Sequence, residues 1–68
     1  MNVIINGTAS DVERATTVAA LLVRLGHEAS GKGVAVALNG RVVPRAEWAD
    51  RRLEENDHIE ILSAIGGG

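Results

Sequence analysis

The spacing of apolar residues along the chain predicts strands interrupted by one helix. Segment 1–7 alternates, so that Met1, Val3 and Ile5 share one face of a strand, and its closing Asn-Gly pair is typical of a hairpin turn. The polar segment 8–15 is expected to hold the second, weaker strand of that hairpin. The chain therefore opens with two paired strands.

A helical period follows the hairpin. Four apolar residues fall at i, i+3, i+4 and i+7: Val18, Leu21, Leu22 and Leu25. Thr16 or Thr17 can cap the start of this helix, and Gly26 stands where a glycine ends it. A helix of about ten residues is too short to be stable alone. We therefore expect it to pack across a sheet.

A third strand is predicted over segment 34–38, where large and small residues alternate. Val36 and Leu38 should face the helix. Ala35 and Ala37 should face the other way, which leaves a low and smooth outer surface.

The last third of the chain predicts two more strands joined by a crossover. The Asn-Gly pair at 39–40 turns the chain into a fourth strand, which Pro44 ends because proline lacks a backbone donor. In the crossover Trp48 and Leu53 are expected to be buried. Segment 58–62 forms the last strand.

This order of elements predicts a small α+β roll, with a mixed sheet of about five strands and one main helix packed across one face. The first and last strands would be parallel neighbours, because a long crossover separates them. We expect residues 1–63 to form the domain and residues 64–68 to form a flexible, glycine-rich tail.

The chain ends in Gly66, Gly67 and Gly68. With average glycine usage near 7%, such a triplet arises by chance about three times in ten thousand. Glycine has no Cβ and is flexible, so a glycine tail can thread a chain terminus into a narrow active site, guided by Ile65 and Gly66. The last group on that thread is the α-carboxylate of Gly68. The alternative is a frayed end or a linker.

Composition narrows the possible functions. The 68 residues carry a net charge of −2, and there is no cysteine. The sequence has no basic stripe of the kind that indicates nucleic-acid binding. It has no thiol that could bind a metal or act in a thiol relay. His27 and His58 lack acidic ligands at a suitable spacing for a metal site. No apolar run is long enough to span a membrane. We expect a cytoplasmic module, monomeric when free, with little room for an enclosed substrate pocket.

The middle of the chain carries a more specific pattern. Segment 37–48 reads Ala-Leu-Asn-Gly-Arg-Val-Val-Pro-Arg-Ala-Glu-Trp, and Leu53 and Asn56-Asp57 then lead into the last strand. Together with the terminal Gly-Gly, this pattern resembles the ThiS family, the sulfur carriers of thiamine biosynthesis, which have the β-grasp or ubiquitin-like fold. Asn56 stands where that family usually has glycine, but asparagine also tolerates a positive φ. Gly66 is a second small departure.

The resemblance implies a chemistry for the tail. In the family an ATP-dependent, ThiF-like partner adenylates the terminal glycine, here Gly68. A sulfur donor, such as a cysteine desulfurase, then supplies the sulfur of a thiocarboxylate. Thiazole synthase (ThiG-like) uses that sulfur for the thiazole ring of thiamine. On this view Gly67 and Gly68 are essential, no residue of the chain acts as acid or base, and the chain binds no cofactor, since ATP belongs to the partner.

Docking to these partners is assigned to the sheet face away from the helix. Its expected residues are Ile4, Ala35, Ala37, Glu60 and Leu62. Ile4 and Leu62, on neighbouring strands, are expected to form an exposed apolar patch beside the tail, and such a patch often marks an interface. Alternatively, they are ordinary scattered surface residues. The residues expected to face the helix are Met1, Val3, Ile5, Val36, Leu38, Ile59 and Ile61.

Other functions remain open from the sequence. The chain can be a sulfur carrier for another product, such as molybdopterin or cysteine, or a ubiquitin-like protein modifier; the proteins that co-purify with it would separate these. It can also be a plain interaction domain whose glycines are inert. Detection of a thiocarboxylate by mass measurement would exclude that last case. Exchange of one oxygen for sulfur adds about 16 Da. Because oxidation of Met1 adds nearly the same mass, the gain must be localised to the C-terminal fragment.

Overall fold

The computed structural model describes residues 1–28 and 30–64. Those residues form the five strands and the helix that the sequence predicts. The elements are β1 (Asn2–Ile5), β2 (Thr8–Asp11), α1 (Val18–Arg24), β3 (Val34–Leu38), β4 (Arg41–Val42) and β5 (His58–Ser63), with a short 3-10 helix (Arg45–Glu47) in the crossover.

The strands form one mixed sheet in the order β2-β1-β5-β3-β4. β1 and β5 are parallel, and the other neighbours are antiparallel. The parallel pair requires a long connection, and that connection holds α1, the β3–β4 hairpin and the crossover. The predicted α+β roll, a β-grasp sheet with one helix, is confirmed.

Helix α1 is shorter than its apolar spacing predicts. The Thr17 hydroxyl accepts a hydrogen bond from the Ala20 N–H at 3.1 Å, which fixes the start of the helix. At the other end Gly26 has a φ of +92°, and its N–H donates to the Val23 carbonyl at 3.0 Å, which closes the last turn as glycine commonly does. Leu25, the last of the four apolar residues at helical spacing, therefore lies at the cap and is 47% exposed, so the spacing is wrong in extending the apolar face of the helix to Leu25.

One hydrophobic core lies between the helix and the sheet. Its buried residues are Val3, Val12, Val18, Leu21, Leu22, Val36, Leu38, Val43, Trp48, Leu53, Ile59 and Ile61. Met1 and Ile5 are half-buried against it. The predicted inward face of the sheet is confirmed, as are Trp48 and Leu53 beneath the crossover. The Trp48 indole N–H donates to the Val43 carbonyl at 2.8 Å, so the polar atom of the only aromatic side chain is satisfied inside the core.

Three asparagines occupy tight turns with positive φ: Asn6 at +48°, Asn39 at +50° and Asn56 at +67°. The first two precede Gly7 and Gly40, as the hairpin prediction requires. The value at Asn56 confirms that asparagine keeps the turn where glycine is usual in the resembling family.

The register of β5 generates a first prediction. Ile61 is 8% exposed and Leu62 is 70% exposed. Ile61→Asp should lower the free energy of unfolding by about 3 kcal/mol or more, because it puts a charge into the core. Leu62→Asp should change that free energy by no more than about 0.5 kcal/mol. Thermal and urea melts of the two variants check this; a larger loss from Leu62→Asp would show that the faces are reversed.

Close packing of Gly31 generates a second prediction. Gly31 has a φ of +68°, and a Cβ added there would overlap the Trp48 ring, whereas one added at Gly26, also at positive φ, would meet open space. Both alanine variants suffer backbone strain, but only Gly31→Ala must also displace the indole. Gly31→Ala should cost about 2 kcal/mol more stability than Gly26→Ala, with a change in Trp48 fluorescence. Equal losses would contradict the packing.

Candidate docking surface and carrier terminus

Strand β5 leads directly to the glycine-rich end of the chain. It ends at Ser63, and the Ala64 N–H donates to the Gly33 carbonyl at 2.7 Å. The residues predicted to thread and to carry the reactive carboxylate, Ile65, Gly66, Gly67 and Gly68, lie outside the described residues, as does most of the predicted flexible tail. Their roles therefore remain predictions. The structure defines the end of β5 and Ala64, the base from which these residues continue.

The Asn6 side chain holds β5 close to that base. β1 ends at Ile5, and the Asn6 N–H donates to the Ile59 carbonyl at 2.8 Å. The Asn6 carboxamide then contacts the next residue along that edge: its Oδ1 accepts from the Ile61 N–H at 2.8 Å, and its Nδ2 donates to the Ile61 carbonyl at 3.3 Å. The side chain thus replaces a residue of β1 where the backbone turns away.

Asn39 makes a comparable contact at the start of β5. Its N–H donates to the His58 carbonyl at 2.8 Å, and its Oδ1 accepts from the His58 N–H at 2.9 Å. Its Nδ2 donates to the Asp57 carboxylate at 2.9 Å. Sequence reasoning identified both asparagines as turn residues and missed both contacts, because the Asn-Gly signal reports backbone preference and says nothing about what the amide binds.

The five residues predicted for docking do share the outward face. Directly paired residues of neighbouring strands point to the same side of a sheet. Leu62 pairs with Ala35, Glu60 pairs with Ala37, and Ile4 pairs with His58. With Ile59 and Ile61 buried, all of these partners face away from the helix.

The register does not join Ile4 to Leu62, however. Ile4 lies opposite His58, four residues before Leu62, which corresponds to about 13 Å along the strand. The outward-facing residue between them on β5 is the charged Glu60, and Ile4 is itself half-buried. The prediction that Ile4 and Leu62 form one apolar patch is therefore wrong, because neighbouring strands do not imply neighbouring residues.

The contiguous apolar surface lies on the opposite side of β5. Ala37 pairs with Val42 on β4 as well as with Glu60. Val42 is 76% exposed and Leu62 is 70% exposed, and the small Ala35 and Ala37 lie between them. We call Leu62, Ala35, Ala37 and Val42 the outer patch. Val42 was missed because the alternation in segment 41–43 is too short to assign a face.

One end of the outer patch adjoins the base of the tail. Leu62 and Ala35 line a shallow groove together with Gly33, Ala64 and Arg45. Arg45 is exposed and adds a positive charge to a surface that is otherwise apolar or small. A partner that covers this groove would thus contact the chain where it leaves the sheet.

In residues 1–28 and 30–64 no group of three His, Cys, Asp or Glu side chains is placed to hold a metal ion. Over the same part of the chain, no helix is long and apolar enough to cross a membrane.

A mixed β-grasp sheet whose central strand continues into a glycine-rich end defines a ubiquitin-like protein. The family model described as "ThiS family" matches residues 3–68. The chain belongs to the ThiS family.

Individual relatives agree with this assignment. The sulfur carrier protein ThiS of Escherichia coli strain K12 is 32% identical over 68 residues, which is the full length of both chains. The crystal structure of a thiamine biosynthesis protein (ThiS) from Geobacter metallireducens superposes with a TM-score of 0.78 at 36% identity, covering both chains completely. A thiazole synthase of Paramagnetospirillum magneticum is 37% identical over all 68 residues, but the chain spans only 20% of that protein.

The outer patch generates a third prediction. Leu62→Asp and Val42→Asp should each weaken binding to the adenylating enzyme that the family resemblance implies as a partner by about tenfold or more, because a charge buried in an apolar interface is costly. Ala9→Asp is the matched control: Ala9 is exposed and pairs with Ile4, so it lies on the same face at the far side of the sheet. Calorimetric titration should find the control within about twofold of the unmodified chain. Full binding by Val42→Asp would exclude the patch.

Proposed function

We propose that this chain is a sulfur carrier of thiamine biosynthesis, in which the carboxyl group of Gly68 carries the sulfur as a thiocarboxylate. The observation that supports it most is the end-to-end alignment with the Escherichia coli sulfur carrier. The terminal glycines of the sequence and the outer patch beside the tail base agree with it.

The chemistry begins with activation of the Gly68 carboxylate. Its negative charge repels nucleophiles, so one oxygen must first become part of a leaving group. Attack of the carboxylate on the α-phosphorus of ATP gives an acyl adenylate and releases pyrophosphate. A sulfur donor at the level of hydrosulfide then displaces AMP from the acyl carbon and leaves the thiocarboxylate. That sulfur is an ionised, soft nucleophile.

The proposal also explains how a chain without cysteine can carry sulfur. Thiol relays need a thiolate side chain, and here the carrier atom is bonded to the chain terminus instead. Gly66 and Gly67 supply a thread without side chains, and Ile65 joins it to the domain.

The partners follow from this chemistry. An adenylating, ThiF-like enzyme uses ATP, so this chain needs no cofactor of its own and is acted upon without being an enzyme. A sulfur donor such as a cysteine desulfurase, with a thiol that reduces its persulfide to the level of hydrosulfide, charges it, and a ThiG-like thiazole synthase receives the sulfur. Support for the last partner comes from two thiazole synthases that contain a segment similar to the whole chain. The segment is 37% identical in the protein from Paramagnetospirillum magneticum and 38% identical in the protein from Magnetococcus marinus. We place these encounters in the cytoplasm.

The position of the reactive carbon generates a fourth prediction. Deleting Gly67 and Gly68, or adding one alanine after Gly68, should abolish ATP–pyrophosphate exchange by the adenylating enzyme. One added residue displaces the carboxylate by about 3.3–3.6 Å, whereas a preorganised site tolerates about 0.5 Å. Gly68→Val should fail almost as badly, because its branched side chain would fill the space that glycine leaves.

The controls separate chemistry from folding. None of these changes removes a residue of the hydrophobic core, so circular dichroism and melting curves should match those of the unmodified chain. Normal exchange by the alanine-extended protein would rule out the terminal carboxylate as the reacting group.

A further inference from the structure

We infer that Asn6 is a positioning residue for the carrier tail, and that its carboxamide sets the direction in which the chain leaves β5. This inference rests on the proposed function, since the tail must present the Gly68 carboxylate to an active site. It concerns a residue that lies outside the outer patch and outside the glycine-rich end.

Ile61 has no backbone neighbour in β1. Successive residues of a strand direct their N–H and C=O groups to opposite edges, so residues i and i+2 share an edge. Ile59 bonds towards β1, through the Asn6 N–H, so Ile61 directs its groups to the same edge. β1 ends at Ile5, and no β1 backbone is left to pair with Ile61.

The Asn6 side chain satisfies both the N–H and the carbonyl of Ile61. The Ile61 N–H donates to Asn6 Oδ1 at 2.8 Å, and Asn6 Nδ2 donates to the Ile61 carbonyl at 3.3 Å. The contact is partly buried and joins residues 55 positions apart. A carboxamide carries the donor and the acceptor that this edge needs, so one side chain extends the parallel pairing by one residue.

The residues after Ile61 bond to the other edge of β5. The next residue, Leu62, pairs with Ala35 on β3, and the Ala64 N–H donates to the Gly33 carbonyl at 2.7 Å. Both contacts lie on the β3 side of the strand. Asn6 therefore supplies the opposing hold on the β1 side, three residues before the described chain ends. Without it, the end of β5 can pivot about its β3 contacts.

The turn itself does not require an asparagine. The φ of Asn6 is +48°, a value that glycine adopts without strain. Asn6→Gly therefore keeps the hairpin and removes the carboxamide. Asn39 provides a matched control, since it has the same φ region, the same following glycine and a side chain bonded to the opposite end of β5.

The test compares Asn6→Gly with Asn39→Gly in the full chain. Amide hydrogen exchange reports whether Ile61 is held, and ATP–pyrophosphate exchange with the adenylating enzyme reports whether the tail is presented. Both variants should lose stability. Only Asn6→Gly should lose protection at the Ile61 amide and slow pyrophosphate exchange at saturating carrier by about tenfold. Its half-saturating concentration should change by less than about twofold, because the outer patch is intact.

Three results would overturn the inference. Unchanged Ile61 protection in Asn6→Gly would show that the carboxamide does not hold β5. An undiminished rate of pyrophosphate exchange would show that the hold does not position the tail. An equal loss of rate in Asn39→Gly would show that the effect is one of general stability.

A second variant covers the case in which Asn6→Gly fails to fold. Asn6→Asp keeps the acceptor for the Ile61 N–H but turns an oxygen towards the Ile61 carbonyl, so it should slow pyrophosphate exchange in the same way, and a normal rate would count against the inference. Absence of exchange with the unmodified chain would instead overturn the proposed function, which distinguishes the two failures.

Discussion

Strand β5 is hydrogen-bonded along both of its edges, and the rest of the structure depends on that arrangement. β1 pairs with it in parallel and β3 in antiparallel fashion. The parallel pair forces the intervening chain to cross over the sheet, which places α1 on one face. Ile59 and Ile61 close the core from that same strand. The last described strand is therefore held from both sides, and the proposed reactive terminus continues from it.

This arrangement suits a protein that carries its chemistry on its end. Most large apolar side chains of the 68 residues are committed to a single core between one seven-residue helix and the sheet, and a domain of this size has little interior left for an enclosed site. A carrier needs a rigid base, a surface that a partner recognises and a terminus that reaches into the partner. The β5 strand supplies the base and, through Leu62, one side of the outer patch.

Much of the fold could be predicted from the sequence, because residue period and turn chemistry are local properties. Alternation located β3 and β5 and assigned their faces correctly, and asparagine's tolerance of positive φ kept the turn at Asn56. Leu25 fits the apolar spacing but is exposed, because it caps the helix just before Gly26 ends it. The prediction of an Ile4–Leu62 patch is wrong because the order of strands in a sheet does not fix the register between them.

The candidate site was less predictable for the same reason. Val42 belongs to the outer patch only through its pairing with Ala37, and Asn6 binds a residue 55 positions away. Both depend on long-range register, which no local pattern contains. The terminal glycines are conspicuous in the sequence, whereas the contacts of Asn6 and Val42 follow from the assembled sheet alone.

The central claim is that Gly68 carries sulfur, and mass measurement of the C-terminal fragment tests it most directly. The chain would be incubated with ATP, the adenylating enzyme and a sulfur donor, then cleaved and analysed. The account predicts a gain of about 16 Da confined to the fragment that contains Gly68, dependent on ATP and absent from the fragment that contains Met1, whose oxidation adds a similar mass. A C-terminal fragment of unchanged mass, from protein that the enzyme demonstrably binds, would contradict it.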